Sequence, residues 1–489
     1  MSEMNTMSST SLFAALAARV PDSVVLVGDE EVWTSDALLG EIDALAARLR
    51  ATQVLGLLAD NSPRWAIADL AALRAQAPVL PLPTFFTPAQ LAHALDQTGT
   101  DLVLSDQPAR ILSLEIGFEA TGSWRGLTLL TRTVERVALP AGTAKISYTS
   151  GSTGAPKGVC LTAEGLLDTA HAVIDRLADL PVRRHLSVLP LSLLLENSAG
   201  IYGPLLRGAE IHLPALARIG WQGMAGFAPE RLQERLAESR SDSLILVPEL
   251  LKTWRLWLQA GAQRAPEGLQ FVAVGGARVE REQLLQARSL GIPAYQGYGL
   301  TECGSVVSLN RPGDDSDDAG RPLAHVRVSI DQDEIQVATR AFLGYLGDAE
   351  RDRHLPFATG DLGQLTPAGH IHLAGRRKHL LITSFGRNVS PEWVESVLLA
   401  QPEIAQALVA GEAQSALSAV LVPLPGQSEA SLQRAVGRAN ETLPDYARIG
   451  GWVAAAPFTF LNGMATGNGR PVRSTILNHY AAALAACQS

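Results

Sequence analysis

At 489 residues the chain is longer than a single hydrophobic core usually supports, so at least two domains are expected. Its 47% apolar and 18% charged content is that of a folded globular protein, and a net charge of -9 leaves no basic footprint for nucleic acid. Three scattered cysteines, Cys160, Cys303 and Cys487, form no C-x-x-C pair, which argues against zinc or redox work and for a reduced, cytoplasmic setting. The polar start lacks the pattern of a signal peptide, and no apolar stretch is long and uncharged enough to span a bilayer.

Apolar residues recur at helical spacing from Ser35 to Leu49, and Val54-Leu55-Gly56-Leu57-Leu58 then reads as a buried strand that stops at Asp60-Asn61-Ser62-Pro63. A second helix carries Trp65, Ile67, Leu70 and Leu73, and Pro78 to Leu82 returns as a strand. Further strands are expected at Leu186 to Leu189, Leu244 to Val247 and Phe271 to Val274, each ending at Pro or Gly. Strands alternating with helices predict a layered α/β domain with a largely parallel sheet, whose ligands collect at the carboxyl ends of the strands. After Gly320 the texture changes. Val326, Val328 and Ile330 alternate with polar residues, Glu334 to Val337 does the same, and Thr366-Pro367-Ala368-Gly369 is a turn before Ile371-His372-Leu373, so antiparallel β structure is predicted. A mixed pattern follows Gly375 and ends in a helical tail from Val472. The run Asp314 to Asp318 reads as a solvated loop.

Between the apolar segments Ile146-Ser147-Tyr148 and Val159-Cys160-Leu161 lies Thr149-Ser150-Gly151-Ser152-Thr153-Gly154-Ala155-Pro156-Lys157-Gly158. Its glycines let the backbone approach a polyanion, its hydroxyls can donate to phosphate oxygens, and Lys157 adds a mobile point charge. The spacing is neither that of a Walker loop nor that of a dinucleotide fingerprint. It matches T-S-G-[ST]-T-G-x-P-K-G at every position. This resembles the phosphate-binding signature of the adenylate-forming superfamily, which includes acyl-CoA synthetases, nonribosomal peptide synthetase adenylation domains and beetle luciferases.

The resemblance continues along nearly the whole chain. Tyr298-Gly299-Leu300-Thr301-Glu302 is similar to the family's Y-G-x-T-E element, which implies Tyr298 against an adenine, Thr301 on the α-phosphate and Glu302 as the Mg²⁺ ligand. Gly275-Gly276-Ala277 resembles the small-residue turn that admits adenine and acyl group, and Thr359-Gly360-Asp361 the T-G-D whose carboxylate accepts the ribose hydroxyls, with Arg376 reaching the same sugar. Lys378 corresponds to a hinge and Gly386 to the glycine that leaves room for a pantetheine thiol. Near the end, Asn462-Gly463-Met464-Ala465-Thr466-Gly467-Asn468-Gly469-Arg470 resembles a loop that usually carries a catalytic lysine. Here the position holds Arg470, which keeps the charge but presents it as a planar fork.

The fold implied is a large N-terminal AMP-binding domain, residues 1–377, of layered α/β subdomains with a small β-barrel-like subdomain at about 320–374. A small mobile α+β C-terminal domain, 378–489, follows it. The nucleotide residues implied are Thr149, Ser150, Gly151, Ser152, Thr153, Gly154, Gly275, Gly276, Ala277, Tyr298, Asp361 and Arg376. The catalytic set implied is Lys157, Thr301, Glu302 and Arg470. The acyl pocket is assigned to Leu193, Leu194 and Gly200. The leucine run there favours an apolar tail, and Glu196 is the one group nearby able to pair a polar substrate. The activity implied is ATP- and Mg²⁺-dependent conversion of a carboxylic acid to acyl-AMP, then transfer to coenzyme A or, alternatively, to the phosphopantetheine of a separate acyl carrier protein. An alternative of another class, raised by Arg470 and by the lack of an aromatic near Leu193, is a weakly catalytic or non-catalytic protein that binds acyl-adenylate or nucleotide.

Overall fold

The computed structural model describes residues 9–149, 157–222, 226–348, 351–352, 355–384, 387–414, 416–466 and 469–487. The helix Ser35–Leu49 forms as its periodicity predicts, with Leu38, Ile42, Leu45 and Leu49 buried along one stripe. Ser62 caps the next helix, Pro63–Ala75, by accepting from the Trp65 amide, and Pro63 fits the first turn because its missing N–H would have no helical partner there.

Among the described residues two large mixed sheets are present. One has parallel strands Val24–Val27, Glu210–His212, Arg184–Leu186, Ser243–Leu246, Phe271–Val274 and Ala294–Tyr298 as neighbours in that order. The strand expected at Leu186 to Leu189 therefore begins earlier, at Arg184. Val188 and Leu189 are buried beyond its end, where Pro190 lacks the N–H a ladder would need. The second sheet has a parallel centre, Thr143–Thr149, Val79–Pro81, Leu55–Leu58 and Leu102–Ser105.

The alternating segment after Gly320 forms an open four-stranded antiparallel sheet, Arg327–Asp331, Glu334–Ala338, Phe357–Leu365 and Ile371–Arg376, rather than a closed barrel. Its chain does not stay together. Between the second and third strands, Phe342–Tyr345 leaves to pair with Lys157–Thr162 at the edge of the eight-stranded sheet. The Asp314 to Asp318 loop is held by ion pairs of Asp314 with Arg176, Asp315 with Arg288 and Asp317 with Arg278, and Asp318 lies 3.1 Å from His370 Nδ1. No group of three or more His, Cys, Asp or Glu suited to a metal occurs among the described residues.

C-terminal to residue 378, Ile404–Ala410, Leu417–Pro423 and Ile449–Ala454 form a three-stranded sheet. The helices Pro391–Leu399 and Glu429–Thr442 pack on it around Val394, Leu398, Leu421 and Val436. The tail folds as Arg473–His479 and Ala481–Ala486. No helix of the described residues is long and apolar enough to cross a membrane.

His325 ties the helix Ala163–Arg176 to the β-rich segment, with Nε2 3.1 Å from Thr169 Oγ1, and burial pushes its imidazole down to about 4. The unfolded ring titrates near 6.5 and so binds the proton first, which means stability is lost as pH falls from about 6.5 to 4. His325→Gln should flatten that part of the melting temperature against pH. An unchanged slope would assign the effect to another group.

Candidate functional site

The carboxyl ends of three parallel strands open on one cavity of about 540 Å³. Ser243–Leu246 leads into Val247, Phe271–Val274 into Gly275-Gly276-Ala277, and Ala294–Tyr298 into Gly299-Leu300-Thr301, all of which line it. Two glycines are dictated by geometry. Gly276 has φ +93°, and a Cβ on Gly299 would lie 1.7 Å from the Ser305 carbonyl oxygen. Thr149, Leu193 and Leu194 line the same cavity, and so does Arg470, whose guanidinium donates to the Gly276 carbonyl at 3.0 Å.

At the rim, Tyr298 donates its hydroxyl to Asp361 Oδ2 at 2.7 Å, and Arg376 Nε lies 2.7 Å from Asp361 Oδ1. Asp361 and Arg376 face each other as a cross-strand pair. Burial raises the Asp361 pKa, opposed by Arg376 and by the Tyr298 hydrogen bond, while burial and the Asp361 charge push Tyr298 far up, so the phenol stays protonated as a donor. Glu302, in the short helix Thr301–Cys303, accepts from Tyr345 at 2.9 Å, and the Lys157 ammonium lies 5.1 Å from the centre of the Tyr345 ring. The crossing strand Phe342–Tyr345 thus brings together Lys157 and Glu302, which are far apart in sequence. Sequence reasoning passed over Tyr345. The signal available was the Gly344-Tyr345 step in an apolar strand, but the pairing of that strand with Lys157–Thr162 is a tertiary fact.

Two assignments change. Gly200 lies off the cavity wall: a Cβ there would meet Glu196 Oε1 at 2.4 Å and His185 Nε2 at 2.9 Å, so the glycine makes room for that pair. Glu196 is fully buried, with His185 Nε2 3.2 Å from Oε1 and the Leu189 amide donating to Oε2 at 3.1 Å, so it is committed to the protein rather than to a substrate. Ser150, Gly151, Ser152, Thr153, Gly154 and Gly386 lie outside the described residues.

Behind the wall a second polar group is buried. Lys145, on the strand entering the phosphate-type loop, donates to Asp69 Oδ1 at 2.7 Å, to Tyr202 Oη at 3.0 Å and to Asn197 Oδ1. Asp69 Oδ2 accepts from Tyr202 at 2.6 Å and Asn197 at 3.0 Å. Asn197 and Tyr202 flank and end a π-helical turn, Ser198–Tyr202, that continues from the cavity-lining leucines.

Residues 13–341 match the AMP-binding enzyme family, and residues 378–487 match the AMP-binding enzyme C-terminal domain. The chain belongs to the AMP-binding enzyme family. This AMP-binding enzyme is similar to the 2-succinylbenzoate--CoA ligase of Salmonella typhimurium, 31% identical over 78% of the chain and 79% of the relative. It also resembles the long-chain-fatty-acid--CoA ligase 1 of Cavia porcellus, 25% identical over 76% of the chain and 65% of that longer protein. In fold it is similar to an anthranilate CoA ligase in complex with anthranoyl-AMP, with a TM-score of 0.80 at 18% identity, covering 98% of this chain and 100% of the other. The AMP-binding enzyme is accordingly an AMP-forming acid–thiol ligase of mixed α/β architecture, with a large N-terminal and a smaller C-terminal part.

Proposed function

We propose that this ligase activates a monocarboxylic acid with an apolar tail, at the expense of ATP, and passes the acyl group to coenzyme A. The observation that carries the substrate class is the state of the cations facing the cavity. Among the described residues these are Arg207 and Arg470, and the imidazole of His185 is the other basic group there. Arg207 spends its donors on the backbone carbonyls of Leu177, Ala178, Leu180 and Val182, and His185 is held between Ser243 and Glu196. Arg470 faces the Gly276 turn. No cation remains at the deep end for a second carboxylate, where Val173, Leu177, Leu195, Ala199 and Phe271 pack as an apolar cluster.

In this reading the substrate carboxylate attacks the α-phosphorus of ATP and pyrophosphate leaves. Lys157 and Arg470 offset the developing charge, and Tyr298, Asp361 and Arg376 position the nucleoside. Glu302, whose carboxylate accepts from the Tyr345 hydroxyl, would be the protein residue that holds Mg²⁺, a hard cation that favours oxygen ligands. Mg²⁺ bound there would neutralise phosphate charge. The unit from 378 to 489 then turns about Lys378, and a thiolate attacks the acyl carbon and expels AMP.

Pyrophosphate release measured across acids tests the proposal. kcat/KM should be at least about tenfold higher for straight-chain monocarboxylic acids than for 2-succinylbenzoate, whose second carboxylate would be buried without a partner. A preference for 2-succinylbenzoate would overturn the apolar assignment.

A further inference from the structure

Lys252 has no place in the chemistry above, yet it is only 8% exposed. It lies on the helix Pro248–Ala260, which starts at the cavity rim. Its side chain points away from the cavity into the end of another helix, Pro391–Leu399, in the C-terminal unit. There the ammonium donates to the carbonyl oxygens of Leu399 at 2.6 Å, Gln401 at 2.9 Å and Ile404 at 2.5 Å. The Leu399 carbonyl ends the helix, where carbonyls lack helical partners and carry the negative end of the helix dipole, so a cation is favoured; Gln401 follows the helix and Ile404 opens the strand Ile404–Ala410. Three acceptors around one nitrogen need three N–H donors, the number an ammonium has. The contact joins residue 252 to residues 399–404 across the two parts of the chain, and Ser396 adds a hydrogen bond to Glu280 on the same face. In this arrangement Arg470 reaches Gly276.

We propose that Lys252 is a positioning residue for adenylate formation: it caps the Pro391–Leu399 helix from the other unit and so holds Arg470 over the cavity. Rotation of the C-terminal unit withdraws the three carbonyls from Lys252 together, so the cap favours the first half-reaction over the second. The inference rests on the two-step reading above.

Lys252→Met keeps the stem and removes the donors, and Lys252→Arg keeps a charge. Three readouts apply to each: pyrophosphate release with ATP and decanoate, transfer from supplied decanoyl-AMP to coenzyme A, and trypsin cleavage near Lys378 without ligands. Lys252→Met is expected to slow pyrophosphate release by about tenfold, to leave transfer unchanged or faster, and to speed cleavage. Lys252→Arg should recover part of each change. Equal loss in both half-reactions, or cleavage no faster than in wild type, overturns the proposal. If Lys252→Met does not fold, the same comparison with Lys252→Gln decides it. A wild type that releases no pyrophosphate but whose cleavage still depends on Lys252 would sink the ligase reading and leave the cap standing.

Discussion

Arg470→Ala is expected to slow pyrophosphate release by about 10²–10³-fold, the usual cost of removing a preorganised group that meets charge as it develops. The guanidinium reaches the Gly276 turn from the C-terminal unit and lines the cavity, which is where the proposed reaction puts the substrate carboxylate and the α-phosphate. The step asks for positive charge rather than proton transfer, which a permanently protonated Arg can supply. Affinity for ATP, measured by calorimetry, should change by less than the rate does, because Tyr298, Asp361 and Arg376 hold one another without a bond to Arg470. Arg470→Lys should recover part of the rate, since the charge returns without the planar fork. If Arg470→Ala turns over as fast as wild type, the group has no role in the step. If wild type binds ATP but turns over no acid at all, the non-catalytic alternative gains instead.

Asp69→Ala should cost about 3–5 kcal/mol in equilibrium unfolding, because it leaves the Lys145 ammonium buried without its counter-charge. Lys145 and Asp69 are 2% and 1% exposed, so water cannot take over the lost contacts. Burial lowers the Lys145 pKa while Asp69 raises it, so without Asp69 the buried ammonium keeps only the neutral partners Asn197 and Tyr202. The paired change Asp69→Ala with Lys145→Met removes both charges and should recover part of the loss, which a double-mutant cycle with the two single variants in urea would read as a large coupling energy. Additive single effects would mean that the two charges do not stabilise each other.

The elements that sequence alone made legible are those whose burial follows a simple period. Leu38, Ile42, Leu45 and Leu49 fall on one helical stripe, and Val328 and Ile330 alternate with exposed neighbours. The candidate site was legible where a motif concentrates it, as at Tyr298 to Glu302. Lys145 and Lys252 were not, because a lone charge in a strand or helix reads as a solvated face until its partner, 76 or 147 residues away, is brought beside it. The same limit explains Tyr345 and Gly200. Local pattern says which residues are apolar or small, whereas only the packed chain says what they stand against.

The departure of Phe342–Tyr345 from the four-stranded sheet also bears on how the protein could be cut apart. A gene segment encoding residues 327–376 would carry away the edge strand of a different sheet, together with the phenol that touches Glu302 and Lys157. The β-rich part is thus laced into its neighbour and cannot be exchanged as a cassette. Residues 378–487, whose five strands among the described residues pair only with one another, offer the cleaner seam for split or swapped chains.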